Sequence, residues 1–217
     1  VKQGLFDTKM GVTSKNEISE TDLLNYKLSP GYFGHIELNL PVFSHNHIDT
    51  ILSVLNVVCI RCANFIHPLY GDDLGPSSDE ILSMPKESLP YPSEEYLMNM
   101  YPNRRLQKLK KIQFKGEKSS ETKCKYCQFI QPIKYFLNTK KGVDCIDSQY
   151  SNTTELTPIY PEYAYRLFKK ITNKNCLLMG FDPDVSHPSS LIIHTIPVCP
   201  PIIRPFIDQG NGMISQD

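Results

Sequence analysis

The clearest hydrophobic pattern in the chain predicts a helix that begins at Pro161. Its apolar residues recur at i, i+3, i+4 and i+7, the period of one helix face, and they are Ala164, Leu167, Phe168 and Ile171. Pro161 suits the first turn because the N–H that proline lacks has no partner there. A second short helix is predicted after it, with Asn173 as its N-cap and Gly180 as its end.

A further amphipathic helix is predicted after Ser44. Apolar positions recur there at helical spacing, and they are Ile48, Ile51, Leu52, Leu55 and Cys59. Ser44 or Asn46 is the expected N-cap of this helix. The helix is therefore expected to deliver Cys59 and Cys62 to one place.

Two stretches predict strands. Apolar and polar residues alternate in His35–Leu40, which places its three apolar side chains on one buried face and lets Pro41 end the strand. Leu191–Ile196 is apolar enough to predict a buried strand. The 17 prolines exceed the usual share of about 5% and break the chain into short pieces. The sequence thus predicts a mixed, irregular α+β fold with short helices and short strands.

Length and composition indicate a globular chain, and its net charge gives no indication of a polyanionic partner. The 217 residues suffice for one large domain or two small ones. Lysine plus arginine and aspartate plus glutamate both total 23. The longest apolar runs, such as Leu191–Ile193, are far shorter than the about 20 residues of a membrane span. We expect an intracellular protein with no membrane partner, and a chain that begins at Val1 is expected to be part of a longer one.

Two Cys-x-x-Cys motifs carry the strongest candidate chemistry. Cys59 and Cys62 form the first motif, and Cys124 and Cys127 form the second. Two such turns can offer four thiolates to one Zn²⁺, which closes a structural site with no open position for chemistry. The interval between the motifs exceeds the roughly 15–20 residues usual in zinc ribbons, so two pairs of free thiols are the alternative. The total of seven cysteines suits a reduced compartment rather than a disulfide scaffold.

A basic segment precedes and includes the second motif. Between Arg104 and Lys125, nine cationic residues face only two acidic ones. Such a cluster can neutralise phosphates and release counterions. The candidate nucleic-acid contacts are Arg104, Arg105, Lys108 and Lys111. The alternative is a solvated helix face above Leu106 and Leu109.

No motif in the chain indicates a catalytic site. Asp182 and Asp184 together could hold Mg²⁺, but Asp-Pro-Asp is ordinary turn chemistry and no third carboxylate accompanies it. A thiol hydrolase would need Cys145, Cys176 or Cys199 together with His187 or His194, and the spacing singles out no pair. There is no Walker-type loop and no His-Glu-x-x-His motif.

Four segments carry a family resemblance, and in chain order they are Gly4–Val12, Pro30–Phe43, Val58–Cys62 and Leu167–Pro205. They resemble the N-terminal clamp region of the largest subunit of multisubunit DNA-directed RNA polymerases of the eukaryotic type. The last segment is the longest and the most specific. The blocks follow the family's order, so the resemblance covers residues 1–217.

The resemblance implies a zinc-stapled clamp, made of a clamp core and head, that closes over template DNA and the RNA–DNA hybrid. The implied ligands of its structural Zn²⁺ are Cys59, Cys62, Cys124 and Cys127. Residues 63–123 would then be an insertion between the two zinc-binding halves. Residues 198–217 would be a proline-rich exit towards the lid, with Arg204 either near nucleic acid or in a buried structural salt bridge. The implied partners are the second-largest and the smaller polymerase subunits.

The resemblance also implies what this stretch lacks. The family's Mg²⁺-binding aspartate motif lies downstream of residue 217, so the stretch is expected to be part of a nucleotidyltransferase without holding its active site. The family usually has a second zinc site, whose ligand positions here are Ser19, Asp22, Ser29 and Tyr32. That site is expected to be lost, with packing holding the loop instead.

Two questions stay open at the level of sequence. The divergence of the second site suits a large DNA virus, for which the location would be the cytoplasm or virion rather than the nucleus. The alternative function is a free-standing zinc-binding interaction module that keeps the clamp fold and has no role in transcription. A reading frame that continues into the aspartate motif would favour the polymerase.

Overall fold

The chain forms two compact units, seen here in a computed structural model. The described residues are 4–12, 14, 16–69, 93–113, 122–138, 145–150, 155–204, 207–208 and 214–215. The first unit comprises residues 1–40 and 194–217, and the second comprises residues 41–193. Within the described ranges, no helix is both long enough and apolar enough to cross a membrane.

The described elements are short helices and short strands. The helices are α1 (Ile48–Val57), α2 (Glu94–Met98), α3 (Pro102–Gln113), α4 (Pro161–Phe168) and α5 (Asn173–Met179). The strands are β1 (Gly34–Phe43), β2 (Lys134–Asn138), β3 (Cys145–Gln149), β4 (Leu156–Ile159), β5 (Ile192–Val198), β6 (Ile207–Asp208) and β7 (Ile214–Ser215). Single 3₁₀ turns lie at Thr8–Met10, His45–His47, Pro188–Leu191 and Pro201–Ile203.

These strands form three small sheets. β1 pairs with β5, and β6 pairs with β7. β2, β3 and β4 form an antiparallel meander in which Ile146 of β3 lies between Leu137 and Ile159. The predicted mixed fold of short helices and short strands is therefore confirmed.

The core of the second unit lies around α1. This helix packs against α3 and β2, and α3 in turn packs against α5. The fully buried side chains include Ile51, Leu55, Leu109, Ile146 and Phe168. Each such side chain contributes roughly 1.5–3 kcal/mol when it leaves water. The residues that follow α1 join the same core, so the first cysteine motif starts from a fixed position.

The helix predictions are confirmed in position but wrong in two caps. The Thr172 hydroxyl, rather than Asn173, accepts the Asn175 amide at 3.3 Å and begins α5. Gly180 ends that helix with φ of 91°, as predicted. Neither Ser44 nor Asn46 caps α1, because a 3₁₀ turn occupies His45–His47 and α1 begins directly after it.

The strand predictions are confirmed in position but wrong in burial. β1 continues through Pro41 to Phe43, and Ile36 and Leu40 are exposed. In the described chain β1 has β5 as its partner in a two-stranded sheet, so one edge needs no N–H donor and tolerates a proline. In β5 the first residue, Ile192, is buried, and His194 to Pro197 are exposed.

From composition alone, Ser148–Thr154 is expected to be a polar loop, and the β2–β4 meander includes its first residues. β3 is instead buried, and it carries two polar side chains inward. The Asp147 carboxylate accepts the Asn138 amide at 2.6 Å, and the Ser148 hydroxyl donates to the Thr157 carbonyl at 2.9 Å. Because these partners come from neighbouring strands, the polar residues looked like loop residues in the sequence. The sequence also predicts a turn at Lys140–Gly142, and these positions lie outside the described residues.

The sequence predicts that packing holds the loop around residues 14–32, and the exposure of its described apolar residues does not support this expectation. Leu23 and Leu28 are 76% and 66% exposed, and Ile18 is exposed as well. The buried residues of this loop are instead the polar Ser19 and Ser29. Hydrogen bonds, rather than apolar contacts, must therefore hold its conformation.

Candidate metal centre

Two hairpin turns of the same construction carry the four cysteines of the Cys-x-x-Cys motifs. We call residues 58–65 the first knuckle and residues 123–130 the second knuckle. In the first, the Cys59 amide donates to the Asn64 carbonyl at 2.7 Å and the Ala63 amide donates to the Cys59 carbonyl at 2.9 Å. A β-bridge between Val58 and Phe65 closes the turn. Ala63 has φ of 60°, the left-handed conformation that lets the chain reverse.

The second knuckle repeats these contacts. The Cys124 amide donates to the Phe129 carbonyl at 3.0 Å, and the Gln128 amide donates to the Cys124 carbonyl at 2.9 Å. Lys123 and Ile130 form the closing bridge, and Gln128 has φ of 57°. Each knuckle therefore presents two cysteine side chains from a fixed backbone.

The knuckles face each other, so the sulfur atoms of both motifs meet. All four Sγ atoms lie within 4.8 Å of one another. The Sγ atoms of Cys59 and Cys127 are 3.5 Å apart, and those of Cys62 and Cys124 are 3.7 Å apart. A Zn–S bond of about 2.3 Å in a tetrahedron requires sulfurs about 3.8 Å apart. The four side chains fit tetrahedral coordination of a metal ion, and the prediction that they come together is confirmed.

Contacts outside the sulfurs fix the two knuckles to each other and to the core. The Lys125 amide of the second knuckle donates to the Ile66 carbonyl at 3.2 Å. The Arg61 guanidinium lies over the Phe129 ring at 5.6 Å from its centroid. The Tyr163 hydroxyl of α4 donates to the Ile60 carbonyl at 2.8 Å. The centre is thus preorganised by groups from three parts of the second unit.

The thiols of Cys59, Cys62 and Cys127 differ in how readily they ionise. Burial raises the pKa of the Cys59 and Cys62 thiols, because a thiolate is poorly stabilised away from water. Burial also acts on Cys127, but the Phe129 amide and the neighbouring thiols outweigh it and lower the pKa of that group. A metal must displace the protons of the buried thiols, so binding releases protons and weakens as the pH falls.

Gln131 is a functional residue that the sequence did not assign to the site. Its side chain is buried, and its Nε2 donates to the Cys59 sulfur at 3.2 Å and to the Phe129 carbonyl at 2.8 Å. Its Oε1 accepts the Ile60 amide at 3.0 Å. Gln131 therefore links both knuckles and orients one ligand sulfur. The sequence signal at this position is the Gln131–Pro132 pair that follows the second Cys-x-x-Cys motif, which supports the resemblance but does not show the contacts of the side chain.

Replacing Gln131 by leucine is expected to weaken metal binding by about 10- to 100-fold, the usual effect of removing a group that orients a ligand. Competition with a chromophoric chelator measures the affinity. Gln107→Leu, at an exposed position of α3, is the matched control and should leave it unchanged. Equal affinities for the two variants would contradict the orienting role.

Arg105 is structural, which conflicts with its predicted contact with nucleic acid. It is only 8% exposed. Its guanidinium donates to three carbonyls, those of Met98, Met100 and Leu177, at 2.8, 3.0 and 2.7 Å. These bonds join the α2–α3 region to α5. The error arose because the sequence shows the charge of Arg105 but not the carbonyls that surround it.

The other predicted cationic contacts of α3 lie on its solvent side. Arg104, Lys108 and Lys111 follow one another at i, i+4 and i+7 and so share one face. Arg104 and Lys111 are exposed, and the Lys108 ammonium lies 5.7 Å from the centre of the Tyr96 ring. Leu109 is buried beneath this face. The arrangement is compatible with both interpretations of the basic segment, and contact with nucleic acid stays a prediction.

Arg204 is half-buried within the first unit. Its guanidinium donates to the Cys199 carbonyl at 2.9 Å and to the Leu5 carbonyl at 2.6 Å. It also lies 5.1 Å from the centre of the Phe6 ring. These contacts tie the two ends of the first unit together, and contact with nucleic acid stays a prediction here too.

The remaining enzymatic candidates have structural roles. Asp182 Oδ1 accepts the Asp184 amide at 2.9 Å, so the predicted turn is confirmed. Burial raises the pKa of Cys176 to about 11, which disfavours a nucleophilic thiolate. In the described part of the chain, the four cysteines of the knuckles form the group of His, Cys, Asp or Glu side chains that can hold a metal ion.

Comparison with known proteins finds similarity along the whole length of the chain. The family described as RNA polymerase Rpb1, domain 1, matches residues 1–217. The DNA-directed RNA polymerase II subunit RPB1 of Euplotoides octocarinatus is 26% identical over 99% of this chain. DNA-directed RNA polymerase subunit Rpo1N of Methanocaldococcus jannaschii is 25% identical over 99% of the chain, and DNA-directed RNA polymerase subunit 1 of Acanthamoeba polyphaga mimivirus is 25% identical over 95%. The chain spans 42%, 14% and 13% of the lengths of these relatives.

Proposed function

The chain belongs to the RNA polymerase Rpb1, domain 1 family, and from this premise we propose that it is the clamp portion of a DNA-directed RNA polymerase largest subunit. In this role it closes over template DNA and the RNA–DNA hybrid during transcription. Its partners are these nucleic acids and the second-largest and smaller polymerase subunits. It acts inside the cell, in the nucleus, or in the cytoplasm or virion if the polymerase is viral.

The four-cysteine centre is the observation that carries this proposal. A clamp must move as one body, and the described helices of the second unit have at most 12 residues and its described strands only a few. The centre joins two knuckles that are far apart in sequence and fixes both to the core. We propose that the ion is Zn²⁺, because four thiolates in a tetrahedron are the ligands it takes in structural sites.

The chemistry of the centre is structural in this proposal. When bound, zinc supplies four bonds that cross-link residues 58–65 to residues 123–130. Four protein ligands leave no open position for a substrate, so the chain contributes rigidity and surface rather than a reacting group. The Mg²⁺ of nucleotide addition belongs to a part of the largest subunit beyond these residues. Residues 63–123 are then an insertion between the zinc-binding halves, and residues 198–217 lead towards the lid.

The cationic face of α3 is the proposed nucleic-acid contact of the second unit. Arg104, Lys108 and Lys111 are its members, and Arg105 is left out because its guanidinium is buried. A protein that neutralises phosphates releases counterions, and its affinity then falls steeply with salt. Side chains at i, i+4 and i+7 span about two helical turns, which suits contact with successive phosphates of one strand.

Reversing the charge of Arg104, Lys108 and Lys111 to glutamate is expected to weaken DNA binding and to reduce the salt slope by about one unit per lost contact. Fluorescence anisotropy with a DNA duplex at several salt concentrations measures both quantities. Lys134→Glu/Lys169→Glu/Lys170→Glu is the control, since it changes the net charge equally at other exposed positions. A salt slope that is the same in both variants would mean that this face of α3 is an ordinary solvated surface that does not contact DNA.

Association with a second polymerase subunit tests the function as a whole. A tagged chain, in its natural context, is expected to co-purify with the second-largest subunit. A free-standing zinc-binding module would purify without it. The second outcome would leave the fold and the metal centre intact but remove the role in transcription.

A further inference from the structure

The first unit contains a third turn with the backbone of a knuckle but no cysteine. The Ser19 amide donates to the Leu24 carbonyl at 2.9 Å, and the Leu23 amide donates to the Ser19 carbonyl at 3.0 Å. Ile18 and Asn25 form the closing bridge. Leu23 has φ of 58°. Each contact has the same sequence offset as its counterpart in the first and second knuckles.

The left-handed residues make this correspondence specific. Among the described residues other than glycine, positive φ occurs at Leu23, Ala63 and Gln128. Each of them is the fifth residue of its turn when Ser19, Cys59 or Cys124 is counted as the first. Leucine is a poor residue for this conformation, which costs it about 1 kcal/mol or more. Contacts elsewhere in the turn must therefore hold Leu23 in place.

Polar side chains occupy the positions at which the other knuckles carry sulfur. Ser19 corresponds to the first cysteine, and its Oγ lies 3.3 Å from the Thr21 amide, as the Cys59 sulfur lies 3.4 Å from the Arg61 amide. Asp22 corresponds to the second cysteine, and its Oδ1 accepts the Leu24 amide at 3.0 Å. The side chains of the turn are therefore oriented as metal ligands are, although their chemistry differs.

The hydroxyl groups around this turn converge on the Asp22 carboxylate. The Ser29 hydroxyl donates to Asp22 Oδ2 at 2.7 Å, and the hydroxyls of Ser19 and Tyr32 act with it to lower the pKa of this carboxyl. Ser19 is fully buried and Ser29 nearly so. Burial raises the pKa of Asp22, but these hydrogen bonds and the Leu24 amide outweigh it and leave the pKa lowered. The charged form of Asp22 is thus the one that the cluster stabilises.

We propose that residues 18–32 form a metal-free knuckle, in which the Asp22 carboxylate replaces a metal ion as the centre that fixes the turn. The donor and acceptor roles are reversed relative to the cysteine knuckles. A metal cation accepts lone pairs from its ligands, whereas the carboxylate accepts hydrogen bonds from hydroxyl and amide groups. This knuckle keeps its conformation without metal and is insensitive to chelators, unlike the two cysteine knuckles.

The metal-free knuckle holds the N-terminal segment in place. The Thr21 hydroxyl donates to the Lys9 carbonyl at 2.6 Å, and the Thr8 hydroxyl donates to the Glu20 carboxylate at 2.8 Å. The Tyr32 amide donates to the Met10 carbonyl at 2.9 Å. Loss of the Asp22 cluster should therefore also loosen residues 8–10.

Amide hydrogen exchange on the full, zinc-loaded chain tests the proposal. Asp22→Asn keeps the size of the side chain but removes its charge, and exchange of the Ser19 and Leu23 amides should become about tenfold faster or more. Glu17→Gln, an exposed carboxylate of the same loop, should change these rates by less than about twofold. Rates in Asp22→Asn that match those of Glu17→Gln would overturn the proposal.

A chelator provides a second test that needs no variant. EDTA added to the unmodified chain should accelerate exchange of the Cys59 and Ala63 amides and leave those of Ser19 and Leu23 unchanged. Acceleration in both regions would overturn the proposal, since it would show that residues 18–32 depend on metal. This test remains decisive even if Asp22→Asn fails to fold.

Discussion

Cys62→Ser is expected to abolish tight metal binding and to unfold much of the second unit. Structural zinc in small domains contributes apparent binding energies of roughly 10–16 kcal/mol at neutral pH, which is comparable to the about 5–15 kcal/mol of stability of a whole protein. Val58, Ile60, Ala63 and Phe65 of the first knuckle belong to the hydrophobic core. Loss of the metal is therefore expected to disrupt the first knuckle and the part of the hydrophobic core that these residues form.

Thermal unfolding followed by circular dichroism, with and without a chelator, measures this effect. Cys199→Ser is the matched control, because Cys199 is also a half-buried free cysteine but lies in the first unit. The unmodified chain and Cys199→Ser should lose stability on chelation, whereas Cys62→Ser should be unstable already and respond little. A Cys62→Ser variant as stable as the control would mean that the four thiols are not a metal-bound staple.

Arg105→Met is expected to lower the free energy of unfolding by about 3 kcal/mol or more. The substitution removes the donor from the Met98 and Met100 carbonyls, whereas the Leu177 carbonyl keeps the Gly180 amide at 3.0 Å, and each unsatisfied buried acceptor costs about 1–3 kcal/mol. Methionine keeps much of the aliphatic bulk, so a cavity accounts for little of the loss. The Met98 carbonyl lies at the end of α2, where helices have no internal donor, and the Met100 carbonyl lies in the connection between α2 and α3.

Urea denaturation of the metal-loaded chain measures this loss, and Arg104→Met is its control. The two residues are neighbours on α3, but Arg104 is exposed, and its replacement should change stability by less than about 0.5 kcal/mol. Equal midpoints for both variants would contradict the structural role of Arg105. DNA binding should respond to Arg104→Met rather than to Arg105→Met, because only Arg104 belongs to the proposed nucleic-acid face.

Local sequence signals predicted the elements whose determinants lie within them. Pro161 and Gly180 mark the start of α4 and the end of α5, and the helical spacing of apolar residues located α1. The four cysteines were found from their motif spacing, and the resemblance to polymerase clamps joined the two motifs into one site.

Long-range partners explain what the sequence did not predict. Arg105 appeared to be a surface cation because the Leu177 carbonyl that it binds lies far along the chain. The sequence did not predict strand β3, because the hydrogen-bond partners that allow Asp147 and Ser148 to be buried lie in neighbouring strands. The metal-free knuckle has no cysteine, so the resemblance marked its ligand positions only as a lost zinc site, and its backbone geometry is what relates it to the other two.

The metal content of the purified full chain, together with the spectrum of its Co²⁺-substituted form, tests the central claim most directly. We predict one ion per chain, with the intense sulfur-to-cobalt absorption of tetrahedral thiolate coordination, and loss of this signal in Cys59→Ser/Cys127→Ser. A chain that retains no ion in zinc-supplemented buffer, or a double variant that still gives the full signal, would contradict it.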